Sequence, residues 1–297
     1  MHPTLRRFRY KAARTALRRP LAWKQNRGLT KHDVFLASVE RSGNTWLRFL
    51  LAEILTDREI GFDDVDALIP EMGAHGGVAP IVPGGGRLIK THELYRGEYK
   101  KAVYVVRDLR DVLLSHYARD LSMGFAEYYF GKNGFDDYLL AFLKGRTMRY
   151  GSWQQHVQVW LESPLARSGN LLVVRFEDLR RNSEEDLQRI VEFLGAPANP
   201  DRIRAAIRNN TVEKMREKED GSRKSQARKV FLQGTAAKND DRRFVRSGSV
   251  QGWRKKLTPP QLELIQRYAG DVLTRLGYPD GTVPEAADSN LASAIRA

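Results

Sequence analysis

Residues 34–55 read VFLASVERSGNTWLRFLLAEIL, and the fold turns on this stretch. VFLASV (34–39) is a short unbroken apolar run rich in β-formers, the pattern of a strand buried on both faces. Six small or polar residues follow, Glu40 to Thr45, and an amphipathic helical pattern then carries the chain to Leu55. A strand, a tight loop and a helix start make an anion site. The first N–H groups of the helix lack partners, and its dipole favours negative charge there. Gly43 allows a close backbone approach, Ser42, Asn44 and Thr45 add side-chain donors, and Arg41 adds a full positive charge. GxxxxGK[ST] is absent and the basic residue precedes the glycine, so the loop is not a Walker A motif.

The rest of the chain repeats this alternation. RLIKTH (87–92) and KAVYVVRD (101–108) are strands, the second followed by the helical pattern LRDVLLSHYARDL. NLLVVRFEDL (170–179) is a further strand, and Asn182-Ser183 caps a helix through Phe193 that Gly195 and Pro197 end. Thr258-Pro-Pro opens a last helix, Gln261 to Leu276. Residues 72–86, with six glycines and two prolines, form a loop. Residues 209–250 are charged and lack periodicity, which predicts a long lid-like loop. Strands alternating with helices predict an α/β fold: a single domain with a central, mostly parallel sheet flanked by helices. We place it at residues 34–280, between a basic tail (1–33) and a C-terminal tail (281–297).

Composition narrows the partners. The 297 residues carry 50 Lys and Arg against 36 Asp and Glu, a formal charge of +14, which points to an anionic partner. Residues 1–31 hold ten basic residues and no acid, and residues 223–256 hold eleven against Asp240 and Asp241. The tail reads as a short basic helix that Pro20 ends, a candidate for peripheral contact with an anionic membrane. No apolar run reaches 18 residues, the start lacks a secretory pattern, and cysteine is absent. These features lead us to expect a cytoplasmic protein without a spanning helix or thiolate metal site. Metal-ligand clusters and nucleic-acid-binding motifs are not recognisable either, so neither a metal nor a nucleic-acid partner is expected. A P-loop-type kinase is the nearest rival enzyme and a nucleic-acid-binding protein the rival from another class.

Five segments decide among these: RSGNTW (41–46), IKTH (89–92), YVVRDLRDVLLS (104–115), VVRFEDL (173–179) and FVRSGSVQGW (244–253). In this order and spacing the chain resembles the sulfotransferases that use 3′-phosphoadenosine-5′-phosphosulfate (PAPS), over about residues 34–276. The resemblance implies a P-loop-like sulfotransferase fold, PAPS as co-substrate and a hydroxyl-bearing acceptor. It implies that Arg41, Ser42, Gly43, Asn44 and Thr45 grip the 5′-phosphosulfate, with Trp46 stacking on the adenine. His92 takes the place of the general base, with Lys90 beside the transferring group and Arg41 stabilising its charge. Arg107 and Ser115 match the 3′-phosphate pair. Arg246, Ser247 and Gly248 match the late segment that closes over that phosphate, and Phe176 a ring near the nucleotide.

The chain departs from the family pattern at several points. Arg41 replaces a Lys, Asn44 a Thr, Phe176 a Tyr and Ser247 a Lys. Val212 stands where a second adenine-clamping aromatic is expected, so stacking on the adenine is one-sided. A dimerisation motif would fall at Arg254–Glu263, where Pro259 replaces its central Val, and that dimer is not expected. Arg110 and Asp111 read as a helix-start ion pair, and His75 as a loop residue.

Overall fold

The computed structural model describes residues 26–130, 134–224, 245 and 248–278. In chain order the elements are β1 (Val34–Ser38), α1 (Asn44–Thr56), α2 (Phe62–Leu68), β2 (Leu88–Thr91), β3 (Ala102–Val106), α3 (Leu109–Ser122), α4 (Phe125–Phe130), α5 (Phe135–Leu143) and α6 (Trp153–Leu161). They continue with α7 (Pro164–Arg167), β4 (Leu171–Arg175), α8 (Phe176–Arg181), α9 (Ser183–Phe193), α10 (Pro200–Asn209), α11 (Val212–Lys224), a 3₁₀ turn at Gly252–Lys255 and α12 (Pro259–Arg275).

The sheet runs β2-β1-β3-β4 with every pair parallel. β1, β2 and β3 are buried at every position, which is why they read as continuous apolar runs rather than alternating ones. Helices cover both faces. Phe35, Ala37, Ile89, Tyr104 and Val106 pack toward Leu113, Phe142, Trp160 and Leu273. The alternate residues Val34, Leu36, Leu88, Val103 and Val105 pack toward Leu50, Leu51, Ile190 and Ile203. Each Val, Leu, Ile or Phe side chain among them contributes about 1.5–3 kcal/mol through burial. The result is a single α/β domain. The outer edge of β2 is covered: Lys90 N–H donates to Pro70 O and Met72 N–H to Lys90 O, each at 2.8 Å.

The strand order reverses between β1 and β3. In parallel sheets of this kind a crevice opens there, beyond the carboxyl ends of the strands. The β1–α1 loop and the β3–α3 junction both lie at that point, so topology alone brings Arg41 toward Arg107.

Three expectations need correction. β4 ends at Arg175 and Phe176–Arg181 is helical: Glu177 and Asp178 fall in a first helical turn, where acids are favoured. Residues 212–224 form α11 rather than loop. Its buried side chains include Met215 and Glu219, so no apolar stripe announces it. Arg110 pairs with Asp108 at 2.7 Å, not with Asp111. Asp111 instead accepts from the backbone N–H groups of Gln251 (2.9 Å) and Trp253 (3.1 Å). The basic N-terminal segment 1–25, Arg246 and Ser247 lie outside the described residues.

Candidate active site

Five buried residues of β1 deliver the chain to a reversal at Arg41–Gly43. Arg41 (φ 71°) and Gly43 (φ 90°) both adopt the left-handed conformation, a costly one for the arginine. Gly43 is the N-cap of α1 and no side chain caps that helix. A Cβ on Gly43 would come within 2.4 Å of the Phe176 ring, so only glycine fits beneath it. Ser42 Oγ is buried and lacks a hydrogen-bond partner. A hydroxyl left unengaged beside an uncapped helix start is a candidate contact for an anion.

Asn44 faces the other way. Its Nδ2 donates to Leu36 O (3.0 Å) and Ser38 Oγ (3.1 Å), bracing the loop from beneath. Thr45 is half-buried in the first turn of α1. The indole N–H of Trp46 donates to Asn210 O at 2.8 Å, the Arg180 guanidinium lies 5.1 Å from its ring, and Phe176 meets it edge-on at 5.9 Å.

Arg107, at the end of β3, joins three segments. It donates to Arg41 O (3.2 Å) and Ser249 O (2.9 Å), and its guanidinium lies 4.5 Å from the centre of the Phe176 ring. Its Nε is buried without a hydrogen-bond partner among the described residues. Arg41 Nε donates to Ser115 Oγ at 3.1 Å. The structure therefore brings Arg41, Arg107, Ser115 and Phe176 into one cluster. Arg41 and Ser115, expected at opposite ends of a nucleotide, are joined here because the left-handed turn sends the arginine toward α3. Gly248 (φ 56°) sits against Val212.

Beyond β2 stands His92. Its Nδ1 lies 2.9 Å from Ser38 O, and because a carbonyl can only accept, Nδ1 carries the proton and Nε2 presents a lone pair. Burial, and secondarily the Lys90 charge, lower its pKa from the ordinary 6.5 to about 4. The ring is therefore neutral, and able to act as a base, across the physiological range. Lys90 is nearly buried, its Nζ lies 3.7 Å from Glu71, and desolvation lowers its pKa too.

His92 opens on a small pocket whose wall also includes Glu40, Met148, Arg149, Tyr150 and His156. Several polar side chains line it, but most of its surface is apolar. His156 Nε2 donates to the His92 carbonyl (3.1 Å), while the Tyr104 hydroxyl, 2.9 Å from Nδ1, fixes that tautomer. Sequence reasoning missed Ser38, Glu40, Tyr104, His156 and the Asp111 clamp. Their roles follow from elements meeting in space, and local pattern carries no trace of them.

Comparison with known proteins fits this geometry. The sulfotransferase domain family matches residues 86–277. Sulfotransferase 2A1 of Rattus norvegicus is 26% identical over 271 residues, 85% of this chain and 87% of its own. Sulfotransferase 2A6 of Mus musculus is 27% identical over 267 residues, 85% and 87% of the two chains. Among solved structures, mouse sulfotransferase SULT7A1 complexed with PAP superposes with a TM-score of 0.58 at 23% identity, over 85% of this chain and 87% of that one. Retinol dehydratase in complex with retinol and PAP superposes with a TM-score of 0.65 at 20% identity, over 86% of each chain. These last two likenesses bear on the fold.

Proposed function

The chain belongs to the sulfotransferase domain family, and from that premise we propose that it moves a sulfuryl group from PAPS to an acceptor hydroxyl, with His92 as general base. The observation that carries the reading is the pairing of an uncapped, glycine-turned anion loop with a neutral histidine. The loop holds a buried, unengaged Ser42 hydroxyl. The histidine lines a pocket, and its Nδ1 is held by the Ser38 carbonyl.

The residues suit the co-substrate. Ser42 Oγ and Arg107 Nε are buried donors with no partner among the described residues, and Gly43 leaves room for a phosphate against the backbone. Ser42, Gly43 and the amides of Asn44 and Thr45 would hold the 5′ end. Arg107, Ser115 and Gly248 would hold the 3′-phosphate, with Arg246 and Ser247 completing that end. Trp46 and Phe176 would border the adenine. Bound PAPS supplies an electrophilic sulfuryl group and a phosphate leaving group.

The chain's own contribution is positioning and charge, as in phosphoryl transfer. His92 Nε2 takes the proton from the acceptor oxygen as that oxygen attacks. The Ser38 carbonyl keeps the opposite proton in place and orients the ring. Lys90 and Arg41 offset negative charge gathering on the transferring group and on the departing oxygen. Arginine stays protonated, so Arg41 acts by charge and hydrogen bonds rather than by giving up a proton. Burial of Lys90 strengthens its field, because little water screens it.

Thermal unfolding with 3′,5′-ADP (PAP) tests the reading. At a hundred times Kd, a ligand specific to the folded state adds about 2.7 kcal/mol, raising the midpoint by roughly 5–10 °C. ATP with Mg²⁺ should give no comparable rise. The reverse result would favour a kinase and overturn the proposal.

A further inference from the structure

Glu40 stands where a carboxylate is hardest to account for. It immediately precedes the anion loop, and a negative charge there opposes an anionic nucleotide. Both of its ionic contacts fall on one oxygen: Oε2 lies 3.6 Å from His116 Nε2 and 3.5 Å from Arg119 Nη1. Oε1 has no contact among the described residues. Burial acts to raise the carboxyl's pKa, but the neighbouring His116 and the charge of Arg119 outweigh it and hold the group well below the usual range. The carboxylate thus stays ionised, with one oxygen anchored and the other unengaged.

That oxygen belongs to a side chain in the wall of the pocket on which His92 opens. The neighbouring polar groups are largely committed. The Tyr150 hydroxyl donates to Glu93 at 3.2 Å, and both ring nitrogens of His156 have partners. His92 and Glu40 both line this pocket, and neither Nε2 of the one nor Oε1 of the other has a hydrogen bond among the described residues. Resting on the sulfuryl-transfer reading above, we propose that Glu40 selects the acceptor: Oε1 accepts a hydrogen bond from a hydroxyl or ammonium group adjacent to the hydroxyl that His92 deprotonates. The substrate class this favours carries a vicinal diol or a β-amino alcohol.

The physical basis is the cost of leaving Glu40 unmet. Its side chain is 24% exposed, which leaves water access to the carboxylate. An acceptor that fills the pocket expels that water. If it carries no donor, an ionised oxygen is left desolvated and unpaired. Sites built to hydrogen-bond a substrate group reject analogues lacking it far more strongly than apolar pockets reject a missing methylene.

Three small acceptors isolate the effect: cyclohexanol, trans-1,2-cyclohexanediol and trans-2-aminocyclohexanol, each assayed with PAPS. The wild-type protein should show kcat/KM values for the diol and the amino alcohol about ten- to a hundredfold above cyclohexanol. Glu40→Ala should bring both ratios down to about one. Glu40→Gln keeps an accepting oxygen without the charge, so it should retain part of the diol preference and lose the ammonium preference. Binding of 3′,5′-ADP to each protein reports an intact nucleotide site. Similar kcat/KM for all three acceptors, no reaction with any while 3′,5′-ADP binds, or ratios unmoved in Glu40→Ala would overturn the inference. Failure of 3′,5′-ADP to bind the wild type would instead overturn the underlying sulfotransferase reading.

Discussion

At the scale of the residue, the base role proposed for His92 and the environment of its ring make two expectations quantitative. Replacing it with alanine removes the base and should lower turnover by about 10²–10⁴-fold. Nothing assigned to the nucleotide changes, so the affinity for 3′,5′-ADP, measured by calorimetry, should stay near the wild-type value. The second expectation concerns pH. Burial and Lys90 bring the ring down to about 4, so the acidic limb of kcat/KM should fall near 4 rather than near 6.5. The unfolded chain, at the ordinary value, binds more protons than the folded one between those limits. The stability this ring contributes is therefore present above about 6.5 and is lost as pH falls through 4. A ¹H–¹⁵N titration of the His92 imidazole checks the assignment. Family resemblance is what proposes the histidine at the end of RLIKTH as a base. Its tautomer was not legible in the sequence, because the Ser38 carbonyl that sets it arrives from a strand 54 positions earlier.

At the scale of the element, the anion loop is held by what packs on it. Gly43→Ala would force a side chain into φ 90° and drive its Cβ to 2.4 Å from Phe176. A cost of about 1–3 kcal/mol should appear as a lower urea midpoint. Adding Phe176→Ala should recover the steric part and leave the backbone part. The segment 248–253 depends on Asp111, which holds two of its amides. Asp111→Ala should speed hydrogen exchange at Gln251 and Trp253 and weaken 3′,5′-ADP, whereas unchanged exchange would remove the clamp. The legibility of elements follows from the same physics. β1 and its loop could be read because five buried residues and a glycine leave few alternatives. α11 could not, because its sequence VEKMREKEDGSRK offers no apolar face to a periodicity argument. Phe176 was read as strand because FEDL follows the apolar run of β4 directly, although two acids there mark a helix start.

At the scale of the whole molecule, the parallel order β2-β1-β3-β4 places every strand's carboxyl end at one edge, and that much was legible from strands alternating with helices. No helix among the described residues is long and apolar enough to cross a membrane. If the basic tail binds a membrane surface, the full-length protein should float with vesicles containing phosphatidylserine at low salt, and a chain lacking residues 1–31 should not. Flotation at 0.5 M salt should fall for the full-length chain. Equal behaviour of the two chains would leave the tail's ten basic residues without that role. Arg107 carries a further consequence. It grips Ser249, 142 positions downstream, so a ribosome must deliver most of the polypeptide before this grip can form. A nascent chain released short of that serine should emerge with its sheet complete yet blind to the nucleotide, which makes ligand capture a report on the finished product alone.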